Sequence, residues 1–489
     1  MPASPRLIPI TPMPATKTAT EAAAGIEAAV KIQARHISGR HNRWRWALVA
    51  LTQLVFYCLP WLNWGGRQAV LFDLEARRFY LFDAVLFPQD LIYLTGLLVF
   101  SALLLFAATA IAGRVWCGFA CPQTVYTEMF MWIEQRTEGK RQARLRLDAA
   151  PWGAEKLLRR GGKHAAWLAL SLLTGFSLVG WFSPVRELAQ ALPALDFGPW
   201  EAFWILFYGA ATYVHAGLLR EKVCQHACPY GRFQGSMLDA HSLVVGYDAA
   251  RGEPRGQAKA ARAKPQASQG QGACVDCGLC VQVCPVGIDI RQGLQAACIS
   301  CGLCIDACDQ VMDKLGAPRG LVRFGAMRPG QAGTGGRSDW GQALRRPRVM
   351  VYGTALLALA LAMAWGWAQR PELRLNAMRD RGVLARQVED GAVENVYRLQ
   401  VMNASPRARQ LHLQALSAEP GGSARPLPLR HRGRLSVEAA GATTLVVTVT
   451  LPAEQALAQR RGTPLPIRFV VDDPATGAQA QTRTTFLPG

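Results

Sequence analysis

Eight of the thirteen cysteines fall in two runs of one spacing. CVDCGLCVQVCP starts at Cys274 and CISCGLCIDAC at Cys298, each in the form C-x2-C-x2-C-x3-C. Three thiolates set so close can converge on one iron-sulfur cube, while the fourth, held apart, serves the other run. Crossed ligation of this kind predicts one 4Fe-4S cluster on Cys274, Cys277, Cys280 and Cys308. A second falls on Cys298, Cys301, Cys304 and Cys284. Gly278 and Gly302, each directly after the second cysteine of a run, supply the backbone freedom for tight wrapping. Structural zinc would use two ligand pairs across a longer loop, and disulfides would be out of place in a reducing compartment. Asp309 stands where the second run usually carries a proline like Pro285; that proline is not a ligand, so cluster assembly is expected to survive its loss.

Four more cysteines repeat a different pattern, C-x3-C-P. GRVWCGFACPQ carries Cys117 and Cys121, and EKVCQHACPYG carries Cys224 and Cys228. On a continuous helix, i and i+4 would put both thiols of a pair on one face. Each pair begins five residues after the end of an apolar run, so the chain reads as a duplicated unit of spans followed by thiols. Four such thiolates suit a soft ion such as Cu(I), zinc, a further iron-sulfur centre, or dithiol-disulfide exchange. His226, Met129, Met131 and Met237 lie close enough in sequence to add ligands, although residues of these types are more often packing. Cys58 stands alone and reads as a packing residue. Haem is disfavoured, because the apolar runs hold only His164 and His215, both toward their ends.

These thiols need elements to hold them. Apolar runs occur at residues 46–64, 91–112, 164–183, 202–219 and 349–368. About 20 apolar residues match a hydrocarbon core of roughly 30 Å, which predicts five transmembrane helices, with Trp44, Trp46, Trp61 and Trp64 as interfacial anchors of the first. Residues 1–43 form a tail without an apolar core, Pro-rich and then helix-capable, so no cleavable signal is expected. Lys and Arg concentrate before the first run, between the second and third, and between the fourth and fifth, which places those segments in the cytoplasm and the C-terminal region outside. The formal charge of +20 is thereby a record of topology. No basic stripe with interleaved aromatics suggests nucleic acid.

The chain then divides into the tail, spans one to four over 44–248, a linker at 249–273, the double ferredoxin domain at 274–313, a linker at 314–346, the fifth span at 347–368 and a soluble region at 369–489. In the last, alternating runs at 396–402, 410–416, 443–451 and 467–471 predict an antiparallel sandwich of roughly 100 residues. His412 and His431 are isolated there and read as surface residues. The expected fold class is a multidomain membrane protein: a five-helix α transmembrane bundle, a cytoplasmic ferredoxin-like α+β insert and a C-terminal immunoglobulin-like β-sandwich. A composition half hydrophobic and only 18% charged excludes a disordered chain. The absence of cysteine after Cys308 excludes a secreted disulfide scaffold.

The order of these parts, with CGFACPQTVYTEMFMWIE, CQHACPYGRFQGSMLD and GYDAARGEPRG, closely resembles the FixG/CcoG family, accessory proteins of the cbb-type cytochrome oxidase. Single motifs are shared with NapH-like quinol-linked proteins, which are not expected to carry the sandwich. The resemblance implies a multi-pass polyferredoxin of the bacterial inner membrane that reduces Cu(II) to Cu(I) for delivery to the oxidase. Its cysteines fall on all twelve positions outside Cys58. Copper is then a substrate or transient ligand at Cys117, Cys121, Cys224, Cys228 and His226. Partners would be oxidase assembly factors or copper chaperones, an unidentified electron donor and membrane lipid, without nucleic acid. Alternatives are a quinol-linked ferredoxin feeding a partner reductase and a non-enzymatic, redox-sensing assembly scaffold.

Overall fold

The computed structural model describes residues 32–239, 241–256, 272–326, 344–380, 385–388, 391–417, 425–431, 435–458 and 463–488. The helix-capable piece of the N-terminal tail and most of both expected linkers lie outside these residues. Two compact units emerge: one gathers the chain up to Trp61 with Tyr93–Ala362, the other Leu62–Ile92 with Met363–Gly489.

In the first unit, Pro88–Ala112 and Pro199–Leu219 are long and apolar enough to cross a membrane, as is Pro347–Ala368 at its end. The remaining two expected runs are also helical, Arg40–Cys58 and Ala154–Val179, but each opens on basic residues. The first run ends earlier than its apolarity suggests. After Cys58 come a single turn Leu59–Trp61 and a strand Asn63–Trp64, because Pro60 removes a backbone donor and Gly65 and Gly66, at φ 59 and 82, turn the chain. Cys58 itself is exposed at the helix end. Ala154–Val179 and Pro199–Thr212 meet backbone to backbone: a Cβ on Gly175 would lie 2.2 Å from the Ile205 carbonyl oxygen, the close approach that small residues permit between apolar helices.

A buried ionic knot ties these helices together. Glu134, fully buried on Pro122–Thr137, meets Arg144 at 3.0 Å, Arg220 at 3.0 Å and Lys163 at 3.8 Å, and Lys163 also pairs with Glu138 at 2.7 Å. Trp167 lies between two of these cations, with Lys163 at 5.0 Å and Arg220 at 5.2 Å from its ring. Arg220 closes the π-helical turn Tyr213–Leu219, so the knot fixes the backbone four residues before Cys224.

The ferredoxin region is wider than the expected 274–313. Strand Leu243–Tyr247 pairs antiparallel with Val322–Ala326, and the second strand lies in a segment expected as linker. The alternating Val322, Phe324 and Ala326 are too few for a periodic signal, and their partner strand lies about 80 residues away in sequence. Between the strands stand helices Leu279–Gln282 and Leu303–Leu315. Their unequal length follows from one position. Pro285 follows the first run, whereas Asp309 lets the second helix continue, and its carboxylate accepts from Gly320 N–H at 3.0 Å.

The second unit holds two five-stranded antiparallel sheets. In one, Val393–Asn403 lies between Leu373–Arg379 and Ala442–Leu451; in the other, Leu465–Asp472 lies between Arg409–Ser417 and Gln479–Phe486. All four expected strand runs fall inside these. Inward residues of both sheets, among them Tyr397, Leu399, Val447, Phe469 and Phe486, form a dry core. An extra three-stranded sheet, Val70–Asp73, Arg78–Leu81 and Ala84–Leu86, belongs to the same unit. Val85 and Phe87 pack on Met402 and Ala440, and buried Asp90 meets Arg370 at 2.9 Å and Arg374 at 2.6 Å. His412 and His431 are exposed.

Candidate iron-sulfur and thiol sites

Each ferredoxin run wraps in the same way. Gly278 and Gly302 stand at φ 63 and 74 and open the two helices, while Asp276 and Ser300, each just before the second cysteine of its run, share a left-handed φ of 50 and 53. The turn brings the cysteines into two groups. Cys274, Cys277, Cys280 and Cys308 line one cavity, together with Leu279, Val311 and Arg291. Cys284, Cys298, Cys301 and Cys304 line another, which Cys280 also borders, so the two sites share a wall. These are the crossed sets that spacing predicts.

Electrostatics separates the same groups. Burial pushes Cys308 up to about 12, and its next influence is the thiolate charge of Cys280. Burial likewise pushes Cys284 up to about 12, followed by the charge of Cys301. Thiols that resist ionising together are deprotonated only when a metal compensates them. Among the described residues no three His, Cys, Asp or Glu side chains converge on a point that would hold one metal ion. Four thiols ringing a space, with an apolar lining and left-handed glycines, instead fit a cluster with a metal at each corner.

The C-x3-C-P pairs depart from the expected helical turn. Cys117 lies in the short helix Val115–Phe119, but Cys121, at φ −60 and ψ 130, is the extended N-cap of Pro122–Thr137. Cys224 lies in the π-helical turn Val223–Ala227, and Cys228, at φ −77 and ψ 110, caps Pro229–Met237. Proline is the cause: it is favoured as the first residue of a helix and forces the residue before it out of the helical region. The break nevertheless gathers the thiols. Burial pushes Cys117 up to about 12, after which Cys121, Cys224 and Cys228 all add repulsion and Arg114 offsets some of it. Cys224 is pushed to about 11, again by burial first and then by Cys121 and Cys228. Cys117 Sγ donates to Gln234 Oε1 at 3.3 Å. His226 is exposed, Met129 and Met131 are half-buried, and Met237 is buried.

The thiol group lies directly against the second cysteine set. A Cβ on Gly118 would come within 2.6 Å of the Ile299 carbonyl oxygen and 2.9 Å of Cys301 Cα. Cys117 packs on the hydrophobic cluster of Val283, Ile299 and Leu303. Arg114 donates to the Ala296 carbonyl, and Gln225 Nε2 donates to that of Val286 at 3.1 Å. Arg45 fastens the same corner: Nε donates to Gly118 O at 3.1 Å, and the guanidinium pairs with buried Glu128 at 2.9 Å. Sequence reasoning missed Arg45, Arg114 and Glu128; at Glu128 the signal was a charge inside an otherwise apolar stretch, TVYTEMFMW, whereas Arg45 lies among other basic residues in GRHNRWRW.

Family models match three regions: "4Fe-4S binding domain" over residues 94–141, "4Fe-4S dicluster domain" over 219–327 and "IG-like fold at C-terminal of FixG" over 363–489. The nitrogen fixation protein FixG of Rhizobium meliloti is 37% identical over 94% of this chain and 93% of its own. Protein RdxA of Cereibacter sphaeroides is 36% identical over 92% of this chain and 96% of its own. The crystal structure of a FixG-related protein from Vibrio parahaemolyticus covers 24% of this chain and 97% of its own, at 17% identity and a TM-score of 0.20.

Proposed function

The chain belongs to the FixG family, and on that premise we propose that this membrane iron-sulfur electron-transfer protein is a cupric reductase serving assembly of a cbb-type cytochrome oxidase. The carrying observation is the contact of Gly118 with Ile299 and Cys301. It joins the Cys284, Cys298, Cys301 and Cys304 set to the Cys117, Cys121, Cys224 and Cys228 thiols through adjoining backbone. Clusters held by the eight ferredoxin cysteines supply one-electron carriers. The C-x3-C-P thiols are the soft ligands that prefer Cu(I), whereas Cu(II) favours nitrogen and oxygen. Each Cu(II) takes one electron and leaves as Cu(I), with no proton gained or lost by the metal. Exposed His226 can meet Cu(II) on arrival, and the half-buried thiols hold the reduced ion.

We propose five crossings, the three helices long and apolar enough to span and two more. Cys117 and Cys224 lie on one side together, so the chain must cross twice between them; besides Pro199–Leu219, the helix available is Ala154–Val179. The apolar run inside Arg40–Cys58 supports the second of these. The concentration of Lys and Arg in the loops supports cytoplasmic clusters and a periplasmic sandwich. Partner docking is the role proposed for the sandwich, where Met378 and Val446 are exposed beside Arg398 on one sheet face.

The test is Cu(II) reduction by purified, chemically reduced protein, read with a Cu(I)-specific chelator. A quadruple Cys→Ser variant at Cys117, Cys121, Cys224 and Cys228 is expected to keep about eight iron atoms per chain and lose most of the rate. Full iron with an undiminished rate would sink the copper assignment. A cavity of about 370 Å³ supports a second reading, a quinol-linked ferredoxin. Trp46, Met131 and Trp132 line it with Val283 and Pro285 beside Cys284, although most of its lining, including Arg35, Lys140 and Arg141, is polar. That reading requires quinol to reduce the protein without copper.

A further inference from the structure

The two cysteine sets differ in the charge the chain holds around them. At the outer set, where Cys277 is exposed, the nearest cation is Arg291, and its guanidinium is saturated by carboxylates. Nε and Nη2 donate to Asp289 at 2.8 and 2.7 Å, and Nη1 donates to Asp276. Asp309 adds a further negative charge beside Cys308. Arg255, the next cation, is paired with Glu253 at 2.7 Å. At the inner set, where Cys298 and Cys301 are buried, the charge has the opposite sign. Arg45 acts on Cys301 and Arg114 on Cys298, each against a larger effect of burial, with Glu128 opposing at Cys301 and buried Asp306, two residues from Cys304, paired with His41 at 2.8 Å. Arg45 is 2% exposed, yet its Nη1 has no hydrogen-bond partner. A buried guanidinium N–H without an acceptor is costly, and Arg45 is tied to Gly118 O at 3.1 Å, where Gly118 lies against Cys301.

We propose that Arg45 and Arg114 make the inner group the more easily reduced of the two, so that electrons run from the Cys274, Cys277, Cys280 and Cys308 set to the Cys284, Cys298, Cys301 and Cys304 set, and so toward the C-x3-C-P thiols. Positive charge and N–H donors near the sulfurs stabilise the reduced, more negative state. Burial acts the other way, since a low dielectric penalises added negative charge. That same dielectric strengthens full charges held close by, and Arg45 and Arg114 are fixed beside the inner set by their hydrogen bonds to the Gly118 and Ala296 carbonyls. In the transfer one electron leaves the outer group, which is oxidised, and arrives at the inner group, which is reduced; no bond or proton changes. Arg45 is a positioning residue here, acting through the potential of the inner group.

The inference rests on the cluster reading and is independent of copper. Its test is a dithionite redox titration of the full-length protein in detergent, followed by low-temperature EPR, with iron analysis on every sample. The wild type is expected to titrate in two steps. Arg45→Gln is expected to move the more positive step to lower potential and leave the other in place, with Arg45→Lys restoring some of the shift. Arg291→Gln is expected to move only the more negative step. Should Arg45→Gln lose iron because Glu128 is left unpaired, Glu128→Gln replaces it and must move the more positive step upward. A more negative step that responds to Arg45 or Glu128, or two steps that respond to neither, overturns the direction. Iron well below eight atoms per wild-type chain would fail the cluster reading itself, a separate result.

Discussion

Gly118 has no room for a side chain between the thiol group and the ferredoxin. An added methyl must push away either the Ile299 carbonyl or the Cys301 backbone, and neither is a flexible side chain. Gly118→Ala is therefore expected to retain full iron yet slow Cu(II) reduction by up to about 100-fold, the cost of an ångström-scale misplacement. Stopped-flow measurement with pre-reduced protein checks it. The ligands themselves are simpler to test. Cys304→Ser should remove the inner group and lower iron from about eight to about four atoms per chain, with the outer EPR signal retained. These residues were legible in the sequence because cluster ligation is written in local spacing, which the glycines at φ 63 and 74 then realise. Arg45, Arg114 and Glu128 were not, since a charge does not name its partner; Arg45 and Glu128 stand 83 residues apart.

At the scale of elements, the C-x3-C-P motifs show where spacing misleads. Four residues between thiols fit one helical turn, but the following proline breaks that turn, and each second cysteine becomes an N-cap. The duplication was legible, and the difference between its halves, α-helical at Cys117 and π-helical at Cys224, was not, because it is imposed by the packing of Arg220 into the Glu134 knot. Glu134→Ala would leave Arg144, Arg220 and Lys163 facing one another. Removing one partner from a buried ionic group costs about 3–5 kcal/mol, seen as a lower midpoint of thermal unfolding. The sandwich was legible from alternation alone, and its core offers a graded test. Tyr397 is fully buried, donates to Thr485 O at 2.9 Å and stacks edge-on to Phe469. Tyr397→Phe should cost about 1 kcal/mol and Tyr397→Ala about 3–5 kcal/mol, measured by protease resistance of the C-terminal region.

At the scale of the whole molecule, hydropathy foresaw the three helices long and apolar enough to cross a membrane but not what the short connection at 62–92 does. It was expected as a loop, yet it forms a sheet packed with the C-terminal strands, because Val85 and Phe87 find their apolar partners more than 300 residues later in the chain. A thiol introduced by Glu75→Cys or by Ser436→Cys should therefore react with an impermeant maleimide in intact spheroplasts, above the background of the native cysteines. Arg146→Cys should react only after lysis. Reaction of Glu75→Cys and Ser436→Cys on opposite sides would break the five-crossing topology.

One contact bears on how the chain is made. The first helix, Arg40–Cys58, opens after Gly39, and its leading amides at His41 and Asn42 donate at 3.2 and 2.9 Å to the carboxylate of Asp306, which fills the space a Gly39 side chain would need. Asp306 is 265 residues downstream of His41. At the ribosome's pace of about 5–20 residues per second, the cap arrives roughly 13 to 53 s after the helix it completes. For that interval this helix has an unfinished end, and closure of the ferredoxin finishes it. Biogenesis thus runs backward along the chain at this point: the last cysteine-bearing element to leave the ribosome sets the register of the first.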